Sequence, residues 1–240
     1  MGEPRPILEI HGARFAYGDL VAVWDVSFDA VAGRATAVVG RNGAGKTTLM
    51  FGLAGVLPMI AGSVLLDGVD VRRMAAWDRA RAGLCLVPEG KRVFRELTVD
   101  ENLAVAMPRR MRAADRRRRC DEVFDRFPML ASRRTQLAGS LSGGQQQTLA
   151  IASAVTMQPR VLLVDEPSSG LSPHAVDDVL ATLADLKSEG LAIVLVEQMV
   201  EDVVTGIADD VVVLEQGRVV IHDTPELISL DELERRISVS

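Results

Sequence analysis

The strongest constraint on the fold of this chain lies in a short glycine-rich segment and the strand that feeds it. Ala35-Thr36-Ala37-Val38-Val39 is a short, nearly continuous apolar run, as a strand buried on both faces requires. It is followed by Gly40-Arg41-Asn42-Gly43-Ala44-Gly45-Lys46-Thr47, which satisfies the pattern G-x-x-x-x-G-K-[ST]. The glycines let backbone amides converge on phosphate oxygens. The helix that begins at Lys46 and runs through Thr48 towards Gly55 adds favourable potential for an anion at its amino end. Lys46 is placed to reach the outer phosphates of a nucleotide, and Thr47 to offer its hydroxyl to Mg²⁺.

This loop specifies triphosphate binding and nothing narrower, because kinases, GTPases and motors share it. A carboxylate pair adds the next constraint. Val161-Leu162-Leu163-Val164 reads as a second buried strand, and it ends in Asp165-Glu166. Asp165 is the candidate ligand for the Mg²⁺ shell, and Glu166, one residue on, is the candidate base for an attacking water. Leu141-Ser142-Gly143-Gly144-Gln145 opens a further helix, read as Gln145 to Gln158, so it forms a second anion site in the same chain. One nucleotide does not need two phosphate cradles from one polypeptide.

With these segments in this order, the chain resembles the ABC ATPases over essentially its whole length. The resemblance implies a phosphate-loop α/β core with an N-terminal antiparallel β subdomain and an inserted α-helical subdomain. It also implies that Ser142, Gly143, Gly144 and Gln145 close over ATP held by a second subunit, so that the working unit is a head-to-tail dimer. Tyr17 stands where the family places an aromatic that stacks on adenine, the alternative being a core aromatic on its strand. Ser168-Ser169-Gly170-Leu171-Ser172-Pro173 occupies the loop that touches the opposite subunit. The implied partners are a second ATPase subunit, two membrane permeases whose coupling helix docks on the helical subdomain, and, indirectly, an extracytoplasmic solute-binding protein. The implied location is the cytoplasmic face of the membrane.

Two positions depart from the general family pattern. Pro88-Glu89-Gly90 stands where a glutamine is usual, and Val196-Glu197-Gln198 where a histidine is usual. Glu89 can still ligate Mg²⁺ or hold the water, and Gln198 can donate to the terminal phosphate without carrying charge. Together with Leu97-Thr98-Val99-Asp100-Glu101-Asn102-Leu103, these segments are similar to ATPase subunits of branched-chain amino acid importers, a branch that includes amide and urea importers.

The remaining pattern places strands at Leu8–Tyr17, Val23–Asp29, Ser63–Leu66, Leu84–Val87 and Ala192–Val196, with a hairpin over Val211–Leu214 and Arg218–Ile221. A helix is expected over Pro173–Glu189, and Thr224-Pro225-Glu226 reads as the start of a terminal helix. Thr98 and Glu101 form a capping box at the start of a helical stretch. The chain is read as one nucleotide-binding domain, with residues 1–98 and 139–240 as core and 99–138 as helical subdomain.

A net charge of -6 argues against nucleic acid as a partner. The arginines at 109, 110, 112 and 116–119 are read as a solvated helix face, the alternatives being a site for anionic lipid headgroups or for an acidic partner loop. Cys85 lies in an apolar run and is expected to be buried, whereas Cys120, beside the arginines, is expected to be exposed; neither has metal-ligand spacing. No apolar run is long enough to span a bilayer. A soluble ABC ATPase without transport is disfavoured by the single cassette, and a GTPase by the absence of an Asn-Lys-x-Asp segment.

Overall fold

Loose alternation of buried and more exposed side chains, interrupted by bulges, defines the first layer. In the computed structural model, which describes residues 5–197, 204 and 206–228, β1 (Pro6–Tyr17) and β2 (Leu20–Val31) form a long antiparallel hairpin. β4 (Met59–Leu66) and the short β5 (Val69–Asp70) complete this sheet in the order β2-β1-β4-β5. Leu8, Ile10, Ala13, Phe15, Val23, Val26 and Val64 point to one buried face.

The second layer is built mostly from strands buried on both faces. β3 (Ala35–Val39), β6 (Leu84–Val87), β7 (Val161–Asp165), β8 (Ala192–Glu197) and β9 (Asp210–Glu215) run parallel, and β10 (Arg218–Asp223) pairs antiparallel with β9. The order is β10-β9-β3-β8-β7-β6. All five residues of β3 and of β7 are buried, and alternate residues feed different cores. Val38, Leu163 and Val194 pack with the antiparallel sheet and with α1 (Lys46–Leu53). Ala37, Val39, Leu162, Val164 and Leu195 pack against α6 (Gly143–Val155) and α7 (Pro173–Ser188).

Between β6 and α6 the chain is helical: α3 (Val99–Ala106), α4 (Ala113–Arg126) and α5 (Pro128–Ala131). Thr98 and Glu101 form the expected capping box at α3. The arginine run lies at and in α4, but it is only partly a solvated face. Arg116 donates to the carbonyls of Ala104 and Pro108, and Arg119 to that of Thr156. Cys120 corrects the expected exposure: it is buried beside Val123 and Phe124. Helical periodicity turns it away from Arg117 and Arg118 and into the core.

Further differences are local. The α6 helix begins at Gly143 rather than Gln145, and β1, β2 and β4 extend beyond the predicted bounds. β5 and α2 (Ala76–Ala82) had no sequence counterpart. Thr224 starts a 3-10 turn over Pro225–Leu227 without a side-chain cap bond, and the remainder of the expected terminal helix lies outside the described residues.

Candidate active site

Strand register brings the nucleotide-directed residues together. Val38 of β3 and Asp165 of β7 both align with Val196 of β8, so the phosphate loop and the carboxylate pair leave adjacent strand ends. Ligands of parallel α/β sheets bind at such carboxyl ends. The loop reaches α1 through Gly45, whose φ of 101° favours glycine, and a Cβ there would lie 2.7 Å from the Ala22 carbonyl oxygen.

Lys46 is 4% exposed, and its ammonium donates to the carbonyl oxygens of Gly40 at 2.7 Å and Arg41 at 3.1 Å. The lysine thus folds back across its own loop. Burial lowers its pKa, while the charges of Glu166, Asp165 and Glu197 oppose that shift. Asp165 is fully buried. Burial is the main cause that pushes its carboxyl up to about 6, with Glu166 and Glu89 adding to the rise against the Thr47 hydroxyl and Lys46. Thr47 Oγ1 donates to Asp165 Oδ1 at 3.4 Å, a long contact, and Asp165 Oδ2 is buried with no hydrogen-bond partner.

An orphaned carboxylate oxygen beside a threonine hydroxyl, amid surplus negative charge, fits a small divalent cation. Mg²⁺ takes one or two carboxylates and leaves its other positions to water and phosphate. Among the described residues no three His, Cys, Asp or Glu side chains form a protein-only metal cage. Asp165→Asn is expected to raise the melting temperature of the nucleotide-free protein by about 2–4 °C, because a buried unpaired charge costing roughly 1 kcal/mol is removed. Thermal melts in EDTA check this, and a lower melting temperature contradicts it.

Glu166 follows β7 with a φ of 45°, a strained conformation for a non-glycine residue, and its amide donates to the Val196 carbonyl. A cavity of about 380 Å³ is lined by Ala22, the loop residues Asn42, Gly43, Gly45, Lys46, Thr47 and Thr48, and the carboxylates Glu89 and Glu166. Asp165 is buried next to Thr47 and does not itself line the cavity. Tyr17 closes the β1–β2 hairpin opposite Leu20 and is 50% exposed, which excludes the core-aromatic alternative.

Ser142, Gly143, Gly144 and Gln145 are not among the residues lining this cavity. Ser142 caps α6, accepting from the Gln145 amide, while its own amide donates to Gln145 Oε1. Gln198 lies outside the described residues.

The residue that sequence reasoning missed is Glu197. Only 2% exposed, it accepts from the Ser168 amide at 2.8 Å and from the Ser168 hydroxyl at 2.7 Å. It therefore fixes the loop that follows Glu166. Ser169 donates to Glu89 Oε1 at 3.3 Å and Lys91 to the Gly170 carbonyl at 3.2 Å, tying the same loop to the segment after β6. The sequence carried only the position of Glu197 at a strand end; its partner is 29 residues away.

The profile of the ABC transporter family matches residues 23–169. The chain is 39% identical over 208 residues to the high-affinity branched-chain amino acid transport ATP-binding protein BraG of Pseudomonas aeruginosa, covering 87% of this chain and 88% of the relative. It is 31% identical over 224 residues to the lipopolysaccharide export system ATP-binding protein LptB of Escherichia coli, covering 92% of each. Among solved structures, cbiO1 from Clostridium perfringens, part of the ABC transporter complex cbiONQ, superimposes with a TM-score of 0.84 at 26% identity. That match covers 96% of this chain and 93% of cbiO1.

Proposed function

Because the chain belongs to the ABC transporter family of ATP-binding, ATP-hydrolysing subunits, we propose that it powers uptake of branched-chain amino acids through membrane permeases. One observation carries the composite-site reading: the cavity at Gly40–Thr48 is not lined by the Ser142-capped start of α6, so the two phosphate-directed elements serve different nucleotides. Two ATPase subunits, either two copies or this chain and a sister, then pair head to tail.

In each composite site the amides of Gly40, Arg41, Asn42, Gly43, Ala44 and Gly45 cradle the phosphates, and Lys46 exchanges its loop carbonyls for phosphate oxygens. Thr47 and Asp165, with Glu89 beside them, would hold Mg²⁺. The ion would neutralise charge that builds on the phosphates during cleavage. Glu166 takes the proton of the attacking water, Gln198 donates to the terminal phosphate, and Tyr17 stacks on the base. The partner's Ser142 helix start closes the site.

No helix among the described residues is long and apolar enough to cross a membrane. Membership of the ABC transporter family supports partner permeases that hold the chain at the cytoplasmic face. An apolar groove of about 270 Å³, lined by Trp77, Phe94, Leu86, Ala106 and Met157, suits a permease helix. Trp77 and Phe94 are 50% and 58% exposed. A solute-binding protein on the far side would complete an importer.

Identity to BraG favours branched-chain amino acids, and identity to LptB gives a second reading, lipopolysaccharide export. The chain, reconstituted with its permeases in vesicles that hold ATP in the lumen and with the solute-binding protein outside, is expected to accumulate labelled leucine. No accumulation of leucine, isoleucine or valine contradicts the import reading.

A further inference from the structure

Arg79 is the largest side chain buried without a role in the site described above: it is 1% exposed. Among the described residues no carboxylate forms an ion pair with its guanidinium. It donates instead to four carbonyl oxygens: Gly52 at 2.9 Å, Leu53 at 2.6 Å, Arg72 at 3.0 Å and Met74 at 3.2 Å. Burial lowers its pKa, and Asp70, itself paired with Arg72, opposes that shift. Gly52 and Leu53 end α1, the helix whose first residue is Lys46. The last carbonyls of a helix are orphaned and carry its negative potential, so a buried cation there complements the end opposite the phosphates. Gly55, in the left-handed conformation at a φ of 77°, leaves room for it: a Cβ there would lie 2.8 Å from Arg79 Nε.

Arg79 belongs to α2, and so does Trp77, which lines the apolar groove with Phe94. One short helix therefore presents an indole to the groove and a guanidinium to the carboxyl end of α1. α1 is eight residues long, about 12 Å, so its two ends move as one body.

We propose that Arg79 is a positioning residue that couples the groove to the phosphate loop: nucleotide on the amino end of α1 shifts α2, and a permease in the groove shifts α1 by the same link. The reciprocity follows from linkage between two sites on one body. This rests on the ATP-binding reading above and adds the path by which a docked partner regulates that site.

The chain has two tryptophans, Trp24 and Trp77. In a Trp24→Phe background Trp77 alone reports on the groove. Saturating ATP is expected to shift Trp77 emission in that protein. Arg79→Met should abolish the shift, and Arg79→Lys, which keeps the charge but not the fork of donors, should reduce it at least about twofold. Both should still bind ATP within about tenfold, measured by equilibrium dialysis. If the methionine variant does not fold by circular dichroism, the lysine variant carries the test. A full-amplitude shift in every folded variant, or no shift in the Trp24→Phe protein despite bound ATP, overturns the coupling and leaves the ATPase reading intact. Failure of the protein with both tryptophans to bind ATP overturns the reading on which the proposal rests.

Discussion

Glu166→Gln is expected to lower the rate of ATP hydrolysis by about 10²- to 10⁴-fold, the range for loss of a positioned general base. ATP affinity should stay within a few-fold of the parent protein. The two effects separate because Glu166 lies on the cavity wall without belonging to the loop that cradles phosphate. Its backbone is pinned at a φ of 45° by the bond to Val196, so the amide side chain is delivered to the same place as the carboxylate. What changes is proton affinity, and with it the capacity to take a proton from water. Removing one negative charge beside Asp165 also eases approach of the phosphates, so any affinity change is expected to be a gain. Steady-state phosphate release and titration calorimetry check both halves; hydrolysis at the parent rate contradicts the assignment of the base.

Lys46→Ala is expected to act the other way round, weakening ATP binding itself by about 100-fold or more. The ammonium faces Asp165 and Glu166 and bonds two loop carbonyls. Without it the cavity wall presents Glu89 and Glu166 to an anionic ligand, with Asp165 behind Thr47, and no other side-chain cation lines it among the described residues. One charge pair at about 4 Å in an effective dielectric near 20 is worth roughly 4 kcal/mol, so even a partial loss exceeds two decades of affinity. Calorimetry at saturating Mg²⁺ reads it directly. An affinity within threefold of the parent protein would mean that Lys46 stays on Gly40 and Arg41 when nucleotide binds.

The phosphate loop was legible because its constraints are local: an apolar run, glycines at a tight approach, and a helix start all lie within neighbouring residues. β3 and β6 match the predicted bounds for the same reason, since strands of a parallel sheet need no polar face. What stayed hidden depends on distant partners. α2 has seven residues and three of them are arginine or aspartate, so it carries no apolar stripe; its one fully buried side chain is the charged Arg79. Cys120 was misjudged by its neighbours along the chain, whereas the helix face decided its burial. Glu197 could be placed at a strand end, but its grip on Ser168 required the register of β7 with β8.

In a head-to-tail dimer, Lys46 and Ser142 of one chain serve different ATP molecules. Light scattering on a size-exclusion column, with nucleotide content read on the same peak, tests it with Glu166→Gln and the double variant Glu166→Gln/Ser142→Arg in saturating ATP. The first is expected to run as a dimer with ATP bound, and the second as a monomer that still carries ATP. A Ser142→Arg chain that loses its own ATP, or one that dimerises as before, would contradict it.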